Sequence, residues 1–141
     1  MKRLLQILFI ATISISSFAQ SATLNLKGIR NQKGHIQVSV FENAKQFEDE
    51  EPAKILYFDK KDVVKGNKSI NINLNPGNYG ITILDDEDDS KDMTYRLGIY
   101  PREGVGFSNY KLSGMTKPKF TDFDFTVQNG NLQILVDMKY F

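Results

Sequence analysis

Apolar residues recur at every second position along most of this chain: Ile36, Val38 and Val40; Ile70, Ile72 and Leu74; Leu132, Ile134, Val136, Met138 and Tyr140. A two-residue repeat buries one face of an extended strand and wets the other, whereas a helix needs a 3.6-residue repeat. The chain is therefore expected to be all-β or nearly so. Leu24, Leu26 and Ile29 mark a first strand. The polar run Arg30, Asn31, Gln32, Lys33 and Gly34 reads as a turn, with Gly34 free to take a left-handed position, that makes a hairpin with the strand through Ile36 to Val40. Residues 55–58 read as a third strand, residues 70–74 as a fourth with Asn71 and Asn73 facing water, and residues 79–84 as a fifth. Between the last two, Asn75, Pro76, Gly77 and Asn78 predict a tight turn in which Pro presets φ and Gly takes a positive φ. Residues 123–127 make a sixth strand, and Gln128, Asn129, Gly130 and Asn131 predict a hairpin turn into the seventh. Seven strands at this spacing predict one β-sandwich. The one helical piece expected is a turn or two between Asn43, a candidate N-cap, and Glu51.

The N-terminus sets the compartment. Lys2 and Arg3 precede an apolar, nearly charge-free stretch over residues 4–15, and Ser17, Phe18 and Ala19 put small residues where a signal peptidase reads. Residues 1–19 are expected to be a cleaved signal peptide and residues 20–141 the mature domain. An apolar run of about a dozen residues falls short of the roughly 20 that a membrane-spanning helix needs. The chain has no cysteine, so neither a lipid anchor at the cleavage point nor a disulfide framework is available, and the core must hold itself. Without Lys2 and Arg3, 16 of the 18 basic residues face 17 acidic ones, a net charge of −1. That balance excludes long-range attraction to nucleic acid or an anionic membrane.

Few residues suit catalysis. The single histidine, His35, falls on the solvent parity of its strand, and the stretch Gly106, Phe107, Ser108, Asn109 is not a Gly-x-Ser-x-Gly elbow. A hydrolase is the reading least supported, and no enzymatic activity is expected. Two groups of residues are candidates for binding. Tyr95, Tyr100, Phe107 and Tyr110 gather with Arg96, Arg102 and Lys111 in the longest irregular region, where aromatics offer a stacking surface to an extended glycan or peptide. Their plainer role is to cap an open end of the sandwich. Asp86, Asp88, Ser90 and Asp92 recur at alternate positions after the fifth strand, a spacing that turns four oxygen-bearing side chains toward one calcium ion. Against this, Lys91 stands where a calcium loop wants Gly, and the twelfth position is Leu97 rather than Glu. The plainer role here is a solvated acidic turn.

The chain also resembles a family of exported bacterial proteins, the domain of unknown function 2141. The likeness rests on Gly28 and Gly34 around the first turn; Pro76, Gly77, Asn78 and Tyr79; Gly98 to Pro101; Glu103 through Asn109; and Pro118, Phe120, Asp122, Phe125 and Val127. The family pattern His-Asp-x-Asn-x-Asn-Gly after the fifth strand is replaced here by Asp85, Asp86, Glu87, Asp88, Asp89, Ser90 and Lys91, and Tyr100 is an extra residue before Pro101. The resemblance implies a transthyretin-like or carboxypeptidase-regulatory-like sandwich and no assigned activity. Taken together, the expectation is a single seven-stranded Greek-key (transthyretin/immunoglobulin-like) β-sandwich, exported to the periplasm or exterior. It would serve as a non-enzymatic accessory or binding module for a glycan, a peptide or an envelope protein. A calcium-stabilised domain or an envelope scaffold is the alternative.

Overall fold

The computed structural model describes residues 20–90 and 103–141; the expected signal peptide lies outside them. The strands are β1 (Gln20–Lys27), β2 (His35–Phe41), β3 (Lys54–Asp59), β4 (Asn67–Leu74), β5 (Gly77–Asp86), β6 (Gly104–Phe107), β7 (Asp124–Val127) and β8 (Leu132–Asp137), with short helices α1 (Ala44–Glu48) and α2 (Phe120–Phe123). They form a three-stranded sheet in the order β4-β1-β8 and a second sheet in the order β3-β2-β5-β6, with β7 pairing the start of β5. All pairs are antiparallel except β1 with β8.

The alternation predicts which side chains go inside. Leu24 and Leu26 of β1, Ile70 and Ile72 of β4, and Ile134 and Val136 of β8 face Ile36 and Val38 of β2 and Ile81 and Ile83 of β5 in one buried cluster between the sheets. The opposite face of the larger sheet is covered by a second cluster, in which Phe41, Phe47, Phe107, Phe120 and Phe123 pack with edge-on ring contacts. Asn43 caps α1 as expected, its side-chain oxygen accepting from the Gln46 N–H at 3.0 Å.

Strand partnership departs from expectation in three places. β1 and β2 do not form a hairpin: they belong to different sheets, and the turn between them carries the chain across the core. β7 and β8 are likewise in different sheets, so the segment through Gly130 (φ +104) is a crossing rather than a hairpin. Gly77 does not take the positive φ expected of it; it opens β5, and a Cβ there would touch the Tyr79 ring at 3.3 Å.

The described residues hold eight strands rather than seven, the addition being β6. Its sequence, Gly-Val-Gly-Phe, is too short and glycine-rich to show a period. Gly106 is required by packing, since a Cβ would lie 2.5 Å from Val136 Cγ1. The same segment joins the two sheets. Val105 and Lys139 exchange N–H to carbonyl bonds at 2.8 Å, and the Asn109 N–H donates to the Leu135 carbonyl while the Leu135 N–H donates to Asn109 Oδ1. Ser108, fully buried, accepts from the Ile81 N–H and donates to the Phe123 carbonyl. The Gly106 to Asn109 stretch, which most marks the family resemblance, is therefore a clamp along one side of the fold.

Candidate functional site

Polar chemistry concentrates where β5 ends. The parity that points Ile81 and Ile83 into the core also points Asp85 there, and Asp85 is fully buried. Lys60, just after β3, is buried with it, its Nζ 2.5 Å from Asp85 Oδ1 and donating also to Asn31 Oδ1 at 3.1 Å. The Tyr140 hydroxyl donates to Asp85 Oδ2 at 2.6 Å and accepts from the Arg30 N–H at 3.2 Å. Burial, and then the bond to Asp85, push the Tyr140 phenol well above its ordinary range. Arg30 lies 4.6 Å over the Tyr140 ring and forks onto Glu87, and that hydrogen bonding holds the Glu87 carboxyl below its usual value. None of these residues stands out in the sequence as a site.

On the opposite parity, Asp86, Asp88 and Glu103 converge, each offering a carboxylate oxygen within 4.8 Å of the others. Glu103 directly precedes β6: Asp85 pairs Gly104, and one step further along that register sets Glu103 beside Asp86. Asp86 is buried and Asp88 exposed. Burial, followed by the charges of Asp86 and Asp88, raises the Glu103 carboxyl to about 7. Ser90 bonds lower Asp88. The loop is held from below by Gly34 (φ +70), where any Cβ would run into the Asp86 carbonyl and stand 2.7 Å from Glu87 Cα.

Of the four expected calcium ligands, Asp86 and Asp88 do come together. Ser90 meets them as a donor, its N–H bonding Asp86 Oδ1 at 3.1 Å and Asp88 Oδ1 at 3.0 Å, and Asp92 lies outside the described residues. Asp89, with φ +58, swings away to pair His35 Nδ1. Glu103 lies far in sequence from the acids it joins, so spacing does not reveal it; its faint signal is an acid directly before a short β-prone segment.

Of the four expected ligand aromatics, Tyr95 and Tyr100 lie outside the described residues. Phe107 is 1 % exposed, and Tyr110 packs against it with centroids 6.4 Å apart. Phe107 thus has the packing role rather than a ligand-facing one, because the clamp turns it inward.

A second surface is the outer face of the three-stranded sheet. It presents Ser21, Thr23 and Asn25 from β1, Ser69, Asn71 and Asn73 from β4, and Gln133 and the exposed Leu135 from β8, with Lys27, Asn67 and Asp137 at one end bringing in its charge. The side chains tie one another: Thr23 donates to Asn71 at 2.8 Å, Asn25 to Gln133 at 2.8 Å, and Ser69 to Asn25 at 3.1 Å. Among the described residues, no helix is long and apolar enough to cross a membrane.

The pattern of a family described as "Uncharacterized protein conserved in bacteria (DUF2141)" matches residues 24–135 of the chain. No curated protein and no solved structure matches it.

Proposed function

This chain belongs to the uncharacterized bacterial family DUF2141, and from that premise we propose that it is an exported, non-enzymatic binding module of the cell envelope that lays its three-stranded sheet against an uncharged, extended glycan. We read the two sheets as the Greek-key, transthyretin-like sandwich that the resemblance implies. The observation that carries the functional reading is the amide and hydroxyl face of β4-β1-β8. Asn is disfavoured in strands, where β-branched Thr fits better, so Asn25, Asn67, Asn71 and Asn73 on one face run against local preference. A face without central charge suits a partner without charge. Its side chains already hold one another, so fewer rotamers are lost when sugar hydroxyls dock.

Retention of the purified protein on insoluble cellulose and chitin, both uncharged polymers, tests this. Wild-type protein should be retained on at least one of them. The variant carrying Asn25→Ala, Asn71→Ala and Gln133→Ala should lose retention while keeping its far-UV circular dichroism. No retention of the wild type, or equal retention of the variant, overturns the reading; turnover of a glycan, ester or peptide library overturns its non-enzymatic part.

The convergence of Asp86, Asp88 and Glu103 favours a second reading, in which calcium stabilises this corner. Glu103 titrates near 7 in the fold against about 4.5 in an unfolded chain, so its contribution is fully present below the lower value and is lost as pH rises through the upper one. In chelator, the melting midpoint should fall between pH 5 and pH 8; millimolar calcium should suppress that fall, and Glu103→Gln should flatten it. At tenfold saturation calcium adds about 1.4 kcal/mol, roughly 3–6 °C. Equal shifts with calcium and magnesium, or none, reduce the cluster to a charged corner.

A further inference from the structure

We propose that Lys60 and Asp85 are the site of an intramolecular amide cross-link, formed by the folded protein itself with loss of one water. Both side chains are 0 % exposed, and they meet at the end of the apolar core, where Asp85 pairs Ile36 and follows Ile83 on the same face. In water an ammonium and a carboxylate stay ionised and do not condense. In a dry site, moving one proton from Lys60 Nζ to Asp85 Oδ1 gives an amine and a carboxylic acid, and this neutral pair escapes the desolvation cost that the ions carry.

The remaining geometry suits the reaction. Nζ lies 2.5 Å from Oδ1, so the nucleophile is already held beside the carboxyl carbon. As the Nζ lone pair forms the new C–N bond, the carbonyl electrons move onto Oδ2. The Tyr140 hydroxyl donates to Oδ2 at 2.6 Å and stabilises that developing charge. The carbonyl then re-forms, and Oδ1 leaves as water, carrying the proton it received first and a second one from the nitrogen. No oxidant, reductant or added group is consumed. The product keeps every polar atom partnered: the amide N–H has Asn31 Oδ1 to donate to, and the carbonyl retains Tyr140. The bond would tie the end of β3 to the end of β5 across β2, restricting the unfolded chain as a disulfide does in a protein that has no cysteine.

Intact-mass spectrometry of the full chain under denaturing conditions, followed by tryptic mapping, decides it. The expected result is a mass lower by one water, about 18 Da, a branched peptide joining the segments of Lys60 and Asp85, and no tryptic cleavage after Lys60. Lys60→Arg should restore the sequence mass and the linear peptides. Mapping separates the branch from cyclisation of Gln20 in chains cleaved after Ala19, which loses ammonia instead. An unshifted mass with ordinary cleavage after Lys60 overturns the proposal. So does a branch at Asn31 with loss of ammonia, which would make Asp85 the proton carrier rather than the cross-linked partner.

Discussion

Lys60→Met should destabilise the domain by about 3–5 kcal/mol, because removing one partner of a fully buried pair strands the other in the core. That is a fall in melting midpoint on the order of 10–25 °C for a domain of this size. Asp85 has 0 % exposure and takes its bonds from Lys60 and the Tyr140 hydroxyl. With Lys60 gone, it must either remain as an uncompensated charge or open the end of the fold to water. The loss is expected whether the native pair is ionic or condensed, since both forms need the amine. Replacing the network with apolar residues of similar size, Lys60→Met with Asp85→Leu and Tyr140→Phe, should recover more than half of it where the pair is ionic, because no buried charge or orphaned hydroxyl is left, and less where the pair is condensed, because this variant also lacks the cross-link. Urea midpoints by circular dichroism at pH 7 measure both. A single-variant loss below about 1 kcal/mol would place the pair in effective contact with solvent and remove its structural role.

Phe107→Ala should cost a similar amount, about 3–5 kcal/mol, as large aromatic truncations in cores do. The Phe107 ring lies 5.2 Å from Phe123, 6.5 Å from Phe47 and 6.4 Å from Tyr110, all edge-on, and the side chain is 1 % exposed. The cavity cannot collapse easily, since Ser108 and Asn109 pin the adjoining backbone to Ile81, Phe123 and Leu135. Tyr110→Ala should cost markedly less, because Tyr110 is only partly buried. Denaturant midpoints of the two variants check the ordering. Equal, small losses would mean that Phe107 is not a core residue and would return it to the ligand surface expected from its place in an aromatic-rich loop.

Asp85 is hidden in the sequence by its neighbours. Ile81 and Ile83 define an inward parity, and Asp85 is the next residue on it. Five acids in a row have the composition of a solvated loop, and that composition masks the periodicity running through them. The structure divides those acids by role: Asp85 goes to the core, Asp86 and Asp88 to the cluster with Glu103, Glu87 to Arg30, and Asp89 to His35. The compensating cation was less legible, because a lysine at the end of a strand is ordinarily a surface residue.

The class of structure, and which face of each strand turns to the core between the sheets, were legible in the residues alone; that the other face of β2 is covered too, burying Gln37 and Ser39, was not. Alternation is a local property, and Leu24, Ile36, Val38, Ile70, Ile72 and Ile134 all lie inside as their spacing predicts. Strand partnership, and with it which distant side chains meet, came from the closed fold instead. β1 pairs β4 and β8 rather than β2, and Glu103 reaches Asp86 only because β6 lies against β5. An apolar alternating strand fits almost any other strand of its kind equally well, so its own residues do not choose a partner. The choice belongs to the closure of the whole core, where turns such as the one through Gly34 carry the chain across to the other sheet.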